Sequence, residues 1–206
     1  MITVIDYESG NLTSVETALA HLGAEFRISA KPEDVLRSDK VVFPGVGEAR
    51  QSMGVLIRDG LDEALVEFAG SGKPLLGICL GCQILLDHSE ERDTDLLGII
   101  PGEVKLFPGD RGVKVPQIGW NTVRHDGSAL FDGIPQESSF YFDHSYYLSP
   151  RLADGSDSPW VCGRAEYGVE FAAAVHKDNI WATQFHPEKS GPKGLRLLEN
   201  FIERIG

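Results

Sequence analysis

The sequence predicts an α/β fold: a single domain with a central, mostly parallel open sheet flanked by helices, and additional antiparallel strands in the C-terminal half. Three observations predict it. In the first half, short aliphatic runs alternate with segments of helical periodicity, the rhythm of parallel strands joined by helical crossovers. In the second half, strand-like runs follow one another across turn residues without a long helix. One last amphipathic segment closes the chain.

Residues 2–6 read as a short buried strand. Asn11 or Thr13 could cap a helix whose apolar face is Leu12, Val15, Leu19 and Leu22, ending at Gly23. Residues 25–29 form a second strand and residues 41–43 a third, stopped by Pro44-Gly45. Residues 52–68 place Val55, Leu61, Leu65 and Phe68 at helical spacing. Residues 75–78 are the next strand, followed by a helix over 81–86. Residues 103–107, 122–125, 139–148, 160–167, 171–176 and 180–185 are strand-like, with exposed loops at 108–112 and 149–159. A helix over 192–205 packs back through Leu195, Leu198, Phe201 and Ile202.

The bulk properties bound the function. A length of 206 residues fits one domain, 1–206, and 42% hydrophobic residues suffice for a core. The net charge of −12 repels a phosphate backbone, which argues against a nucleic-acid partner. The acidic stretch 90–95 is interrupted by Arg92 and reads as a solvated loop. Three cysteines do not make a disulfide framework, the N-terminus lacks the basic region of a signal peptide, and the apolar run 75–86 is too short and too polar to span a membrane. The expected compartment is the cytoplasm. No metal and no cofactor is expected.

Gly77-Ile78-Cys79-Leu80-Gly81 lies where a buried strand turns into a helix. Its spacing is the nucleophile-elbow pattern, glycine–x–nucleophile–x–glycine, with cysteine as the nucleophile. Flanking glycines let strand and helix approach, and free backbone donors at the helix start favour a thiolate. The amide of Leu80 then faces a forming oxyanion. Cys79 and Cys82 also form a C-x-x-C, which leaves open a thiol–disulfide centre. A zinc deaminase is open as well, although the order of its elements is reversed here and the residue before Cys79 is Ile78 rather than proline. Cys162 reads as a core residue.

Gln184-Phe185-His186-Pro187-Glu188 closes an apolar strand. Residues two apart in an extended segment share a face, so Glu188 reaches His186 and fixes its tautomer while the other ring nitrogen handles protons. Such a cysteine, histidine and acid can perform acyl transfer. His21, His88, His125 and His176 have no such neighbour. Pro44-Gly45-Val46-Gly47 ends another parallel strand, and its small residues allow a backbone amide near a reacting carbonyl at the shared carboxyl end of the sheet.

With Gln83 and the continuation to Lys189-Ser190, these two motifs resemble those of class I glutamine amidotransferases, and with the Pro44-Gly45-Val46-Gly47 loop the resemblance covers essentially the whole chain. Within that family the sequence is most similar to the glutaminase subunits of imidazole glycerol phosphate synthases. The narrower markers are Pro44-Gly45-Val46-Gly47, Pro116-Gln117-Ile118-Gly119-Trp120-Asn121 and Tyr141-Phe142-Asp143-His144-Ser145-Tyr146. The resemblance implies Cys79, His186 and Glu188 as catalytic residues, an oxyanion hole from Leu80, Val46 and Gly47, and glutamine held by Gln83, His144, Ser145 and Tyr146. It implies a (β/α)8-barrel cyclase as partner in a heterodimer, faced by Asn11, Trp120, Asn121, Tyr141 and Lys189; core packing is the competing role for Trp120 and Tyr141. Two positions depart from the family pattern: Cys82 stands where methionine is usual, and Asp143 replaces an apolar residue, which puts the local geometry beside the glutamine site in question. A glutaminase serving another synthase, a redox protein and a non-catalytic binding domain are the alternatives.

Overall fold

The computed structural model describes residues 1–8 and 12–206; Asn11, named above as a helix cap and as a partner-facing residue, lies outside the described residues. The chain runs β1 (Ile2–Ile5), α1 (Thr13–His21), β2 (Phe26–Ser29), α2 (Pro32–Arg37), β3 (Lys40–Gly45), α3 (Ala49–Asp59), α4 (Leu61–Gly70), β4 (Leu75–Cys79) and α5 (Leu80–Ile84). It continues through β5 (His88–Ser89), β6 (Thr94–Asp95), β7 (Glu103–Leu106), β8 (Gln117–His125), β9 (Ser138–His144) and β10 (Tyr146–Leu148). The last elements are β11 (Val161–Tyr167), β12 (Val169–Lys177), β13 (Ile180–Thr183) and α6 (Gly191–Glu203).

Five strands make the parallel core, in the order β2-β1-β3-β4-β13. From β13 outward the sheet turns mixed. β12 lies antiparallel to β13, β11 and β10, and β8 pairs antiparallel with β9 and β11. The expected parallel first half and antiparallel second half are both present.

Strand alternation divides the core between two faces. Val4, Val42, Leu76 and Ile78 point to the side covered by α1 and α6, where Val15, Leu19, Leu197, Leu198 and Phe201 are buried. Val41, Phe43, Leu75 and Ala182 point the other way, against Val35 of α2, Met53 and Leu56 of α3, and Leu61, Leu65 and Phe68 of α4. Helices on both faces are what a parallel sheet requires, because both of its surfaces are apolar.

Several elements differ from the sequence expectation. The single helix over 52–68 is two, because Gly60 adopts a left-handed φ of 69° and ends α3 while starting α4. Helix α2 was not expected; Pro32 opens it, where a missing N–H costs nothing. Strand β3 runs through Pro44 instead of stopping there. Its pairing with β1 ends at Val42, so on that side no neighbour needs the missing N–H. The strand expected over 139–148 divides at Ser145: β9 stays with β8, while β10 pairs with β7 and β12. Strand β8 begins at Gln117, well before the expected 122. Thr13 is the first helical residue and Leu12 the N-cap, without a side-chain cap. The acidic stretch is no plain loop, for it forms the short antiparallel β5–β6 hairpin.

Candidate active site

Cys79 ends β4 and starts α5 with φ 56° and ψ −111°, a conformation rare for any residue with a side chain. The neighbouring glycines make this turn possible. A Cβ on Gly81 would stand 1.9 Å from the Phe43 carbonyl oxygen, and one on Gly77 would stand 3.0 Å from the Cα of Cys82. Strand β3 and helix α5 therefore touch backbone to backbone, which holds the Gly45–Val46–Gly47 segment beside the elbow. Gly45 itself ends β3 opposite Cys79.

His186 and Glu188 follow β13, the other parallel neighbour of β4. The His186 Nδ1 and a Glu188 carboxylate oxygen are 2.7 Å apart, and both side chains are almost wholly buried. The backbone amide of His186 donates to the Tyr141 carbonyl at 2.9 Å, and the Ser190 hydroxyl donates to the His186 carbonyl at 2.6 Å. Burial works against a charged His186 ring. The charge and hydrogen bond of Cys79, and then those of Glu188, outweigh it and raise the imidazole to about 10.

Cys79 lines a cavity of about 260 Å³ together with Val46, Gly47, Leu80, Gln83, His144, Ser145 and Tyr146. The expected oxyanion and glutamine-binding residues thus converge with Cys79 on one space. Gln83 donates to the Tyr146 carbonyl at 2.8 Å and to the Gln184 side chain at 3.0 Å. His144 Nδ1 lies 2.7 Å from the same carbonyl. Burial pushes the His144 ring down to about 4, against the Tyr146 bond, and nearby His186 adds to the effect. The ring is neutral at physiological pH, so Nδ1 is the donor.

Glu91 and Pro116 line the cavity without having been given a site role from the sequence, and Asp143 lines it where the family resemblance put it, beside the glutamine site. Glu91 belongs to the acidic stretch read as a solvated loop, and nothing local to it signals proximity to Cys79. The doubt raised by Asp143 resolves in the backbone. Its carbonyl accepts from the Cys79 thiol at 3.8 Å, a contact that its side chain does not supply, and the residue is exposed on the outer face of β9. Gln184, quoted in the second motif without a role, donates towards the Cys79 sulfur at 4.0 Å.

Cys82 is fully buried among Phe43, Leu85 and their neighbours, and burial pushes its thiol far above the ordinary range. It is a core residue outside the cavity lining, packed on the α3–α4 side of the sheet. Cys162 is likewise buried, with its thiol pushed up by burial. Among the described residues, no three histidine, cysteine, aspartate or glutamate side chains converge as a metal would need. His125 stacks on Phe131 and His176 on Trp181, both in structural roles.

On the outer face of the β8–β9 ribbon, Ile118 and Trp120 are 62% and 60% exposed, far from the core role open for Trp120. Tyr141 stands edge-on to Trp120 at 6.2 Å, and the Lys189 ammonium lies 5.9 Å above the Tyr141 ring. Asn121 donates to the Glu166 carbonyl at 2.9 Å. This apolar patch borders the His186 backbone.

The class-I glutamine amidotransferase family model matches residues 3–205. The imidazole glycerol phosphate synthase subunit HisH of Herpetosiphon aurantiacus is 48% identical over 204 residues, covering 98% of this chain and 94% of that protein. The protein of the same description from Acinetobacter baylyi is 45% identical over 205 residues, covering 98% and 97%. Among solved structures, a glutamine amidotransferase superposes with a TM-score of 0.73 at 21% identity, covering 98% of each chain. PurLQS from Thermotoga maritima gives 0.74 at 18% identity, covering 100% of this chain and 98% of that one. At such identities these structures speak for the fold alone.

Proposed function

This chain belongs to the class-I glutamine amidotransferase family, and from that premise we propose that it is the glutaminase subunit of an imidazole glycerol phosphate synthase. One observation carries the chemistry: Cys79, held at a strained elbow, shares a cavity with amide-binding groups and lies against a buried His186–Glu188 pair. In this mechanism the Cys79 sulfur attacks the side-chain amide carbon of glutamine. The amides of Leu80 and of the Val46–Gly47 loop receive the developing oxyanion, and losing one such donor costs about 10²–10³ in rate. His186, held protonated by its neighbours, gives its proton to the departing ammonia. The thioester is then hydrolysed by a water that His186 deprotonates, while Glu188 orients the ring. Gln83, His144, Ser145 and Tyr146 hold the substrate, and the Glu91 carboxylate receives its α-ammonium.

The acceptor chemistry belongs to a (β/α)8-barrel cyclase that docks on Trp120, Asn121, Tyr141 and Lys189. Residues 1–206 act as one amidotransferase domain in the cytoplasm; among the described residues no helix is long and apolar enough to cross a membrane.

The test is glutamate release from glutamine by the chain alone and with a barrel cyclase plus its nucleotide ligand, beside Cys79→Ala. The expected result is low activity alone, strong stimulation by the cyclase, and none in Cys79→Ala. Turnover indifferent to the cyclase would discard that partner, and turnover that survives Cys79→Ala would discard the triad.

A further inference from the structure

Glu91 stands in none of the motifs that identify the site, yet it touches two parts of it. It sits in the turn between β5 and β6 and lines the cavity with Cys79 and Gln83. The same carboxylate accepts, through Oε2, from the backbone amide of Ala49 at 2.7 Å. Ala49 is the first residue of α3, two positions after Gly47, whose segment borders the same cavity.

The hairpin that carries Glu91 is firmly held. Its amide donates to the Ser89 hydroxyl at 3.1 Å, and the Thr94 hydroxyl donates to its carbonyl at 2.6 Å. Next to it, the Arg92 side chain lies 3.7 Å from the carboxylate of Glu48, which in turn accepts from the Arg50 amide at 3.1 Å. The Arg50 guanidinium also donates to the Asp93 carbonyl at 3.4 Å, so the turn grips residues 48–50, where the loop meets helix α3, at three points. Burial holds the Glu91 carboxyl above the usual carboxylate range, with the Ala49 amide opposing and the charge of Glu48 adding to it.

We propose that Glu91 is a positioning residue that couples the α-ammonium of bound glutamine to the placement of the Val46–Gly47 oxyanion loop. The inference rests on the glutaminase function proposed above and adds a role that substrate binding alone does not require. A carboxylate shared between a cationic ligand and a helix-start amide moves when the ligand arrives. Ala49 is where helix α3 begins, so a displacement there is passed back along the two residues to Gly47. The ammonium then contributes to the rate of the chemical step, and not only to binding.

The experiment compares glutamine with glutaramate, its analogue lacking the α-amino group, in the presence of the cyclase. In the unaltered chain kcat is expected to be about tenfold to hundredfold higher for glutamine, the range of one charge-assisted hydrogen bond. In Glu91→Gln the two substrates are expected to approach equal kcat. Ala49→Pro removes the amide donor and adds a ring at a buried position, at a helix start where proline fits and after a residue already extended at φ −114° and ψ 136°. It should keep the KM difference between the substrates and lose the kcat difference.

A substrate difference confined to KM in the unaltered chain overturns the proposal, because the ammonium would then be a binding handle only. A kcat ratio that survives in either variant overturns it as well. A variant that merely destabilises the fold lowers both substrates alike and leaves the ratio untouched. Absence of any glutaminase activity in the unaltered chain with its cyclase would instead strike the proposed function itself.

Discussion

His186 is buried beside Cys79 with two partners pulling in one direction. Burial alone would make it a weak base, but Cys79 and Glu188 raise it to about 10, so the imidazolium is available as a proton donor at neutral pH. The linkage runs with the raised value. The stabilisation from this contact is complete below the ordinary 6.5 and is lost as the pH climbs through about 10. Replacing Glu188 by glutamine removes one support. The alkaline limb of kcat/KM is then expected to move to lower pH, with a rate loss of about 10²-fold or more. A pH–rate profile measured with the cyclase decides this, and an unmoved alkaline limb would mean that Glu188 does not tune the ring. At this scale the sequence named the right pair but not its geometry: Pro187–Lys189 form a 3-10 turn instead of continuing the extended segment, and Glu188 reaches His186 across that turn at 2.7 Å. Glu91 was not legible, because its distance to Cys79 depends on how a hairpin twelve residues along folds back over α3.

At the scale of elements, the close contact of β3 with α5 sets the elbow. The two glycines of the elbow are there for lack of space: a methyl group on Gly81 meets the Phe43 carbonyl. Gly81→Ala is expected to destabilise by roughly 1–3 kcal/mol or more, since the obstacle is backbone, lowering Tm by several degrees. Gly54 is the contrasting case, exposed inside α3 with nothing within 4 Å of an added Cβ. Gly54→Ala is expected to stabilise by about 0.4–1 kcal/mol through helix propensity and a less flexible unfolded chain. Thermal unfolding of the two variants checks both signs, and equal effects would refute the packing argument. The helices α1 and α6 were legible in the sequence because their apolar residues recur on one face, and β4 because it is a short continuous apolar run buried on both faces. The Gly60 break and the Ser145 break were missed for a different reason. Apolar spacing carries across a reoriented pair of segments, and only the partners of β9 and β10 reveal that they separate.

For the whole molecule, the arrangement of two faces matters more than any element. One end of the parallel core gathers Cys79, the Val46–Gly47 loop and the His186 strand end, because parallel strands all deliver their carboxyl ends to the same side. The β8–β9 ribbon then presents Ile118 and Trp120 to solvent next to that end. An exposed tryptophan beside an exposed isoleucine is the composition of a binding hot spot. Trp120→Ala is expected to weaken binding of the cyclase by about thirtyfold or more, equivalent to about 2 kcal/mol, while the Tm of the lone chain stays unchanged. Titration calorimetry with the cyclase measures the first and thermal unfolding the second. Undiminished affinity would place the docking surface elsewhere, and a fall in Tm would return Trp120 to a structural role.

The sequence by itself determined the α/β class, the elbow at Cys79 and the pairing of His186 with Glu188, because each depends on residues close together in the chain or on a strict period. The tertiary structure decided the rest. It turned Cys82 into the core, aimed the Asp143 carbonyl rather than its side chain at the Cys79 sulfur, and brought Glu91 to both the cavity and the start of α3. Local spacing fixes which way a side chain leaves its own strand or helix. Which distant backbone it then meets is set by sheet order and the packing of helices over it, and a short segment carries no record of either.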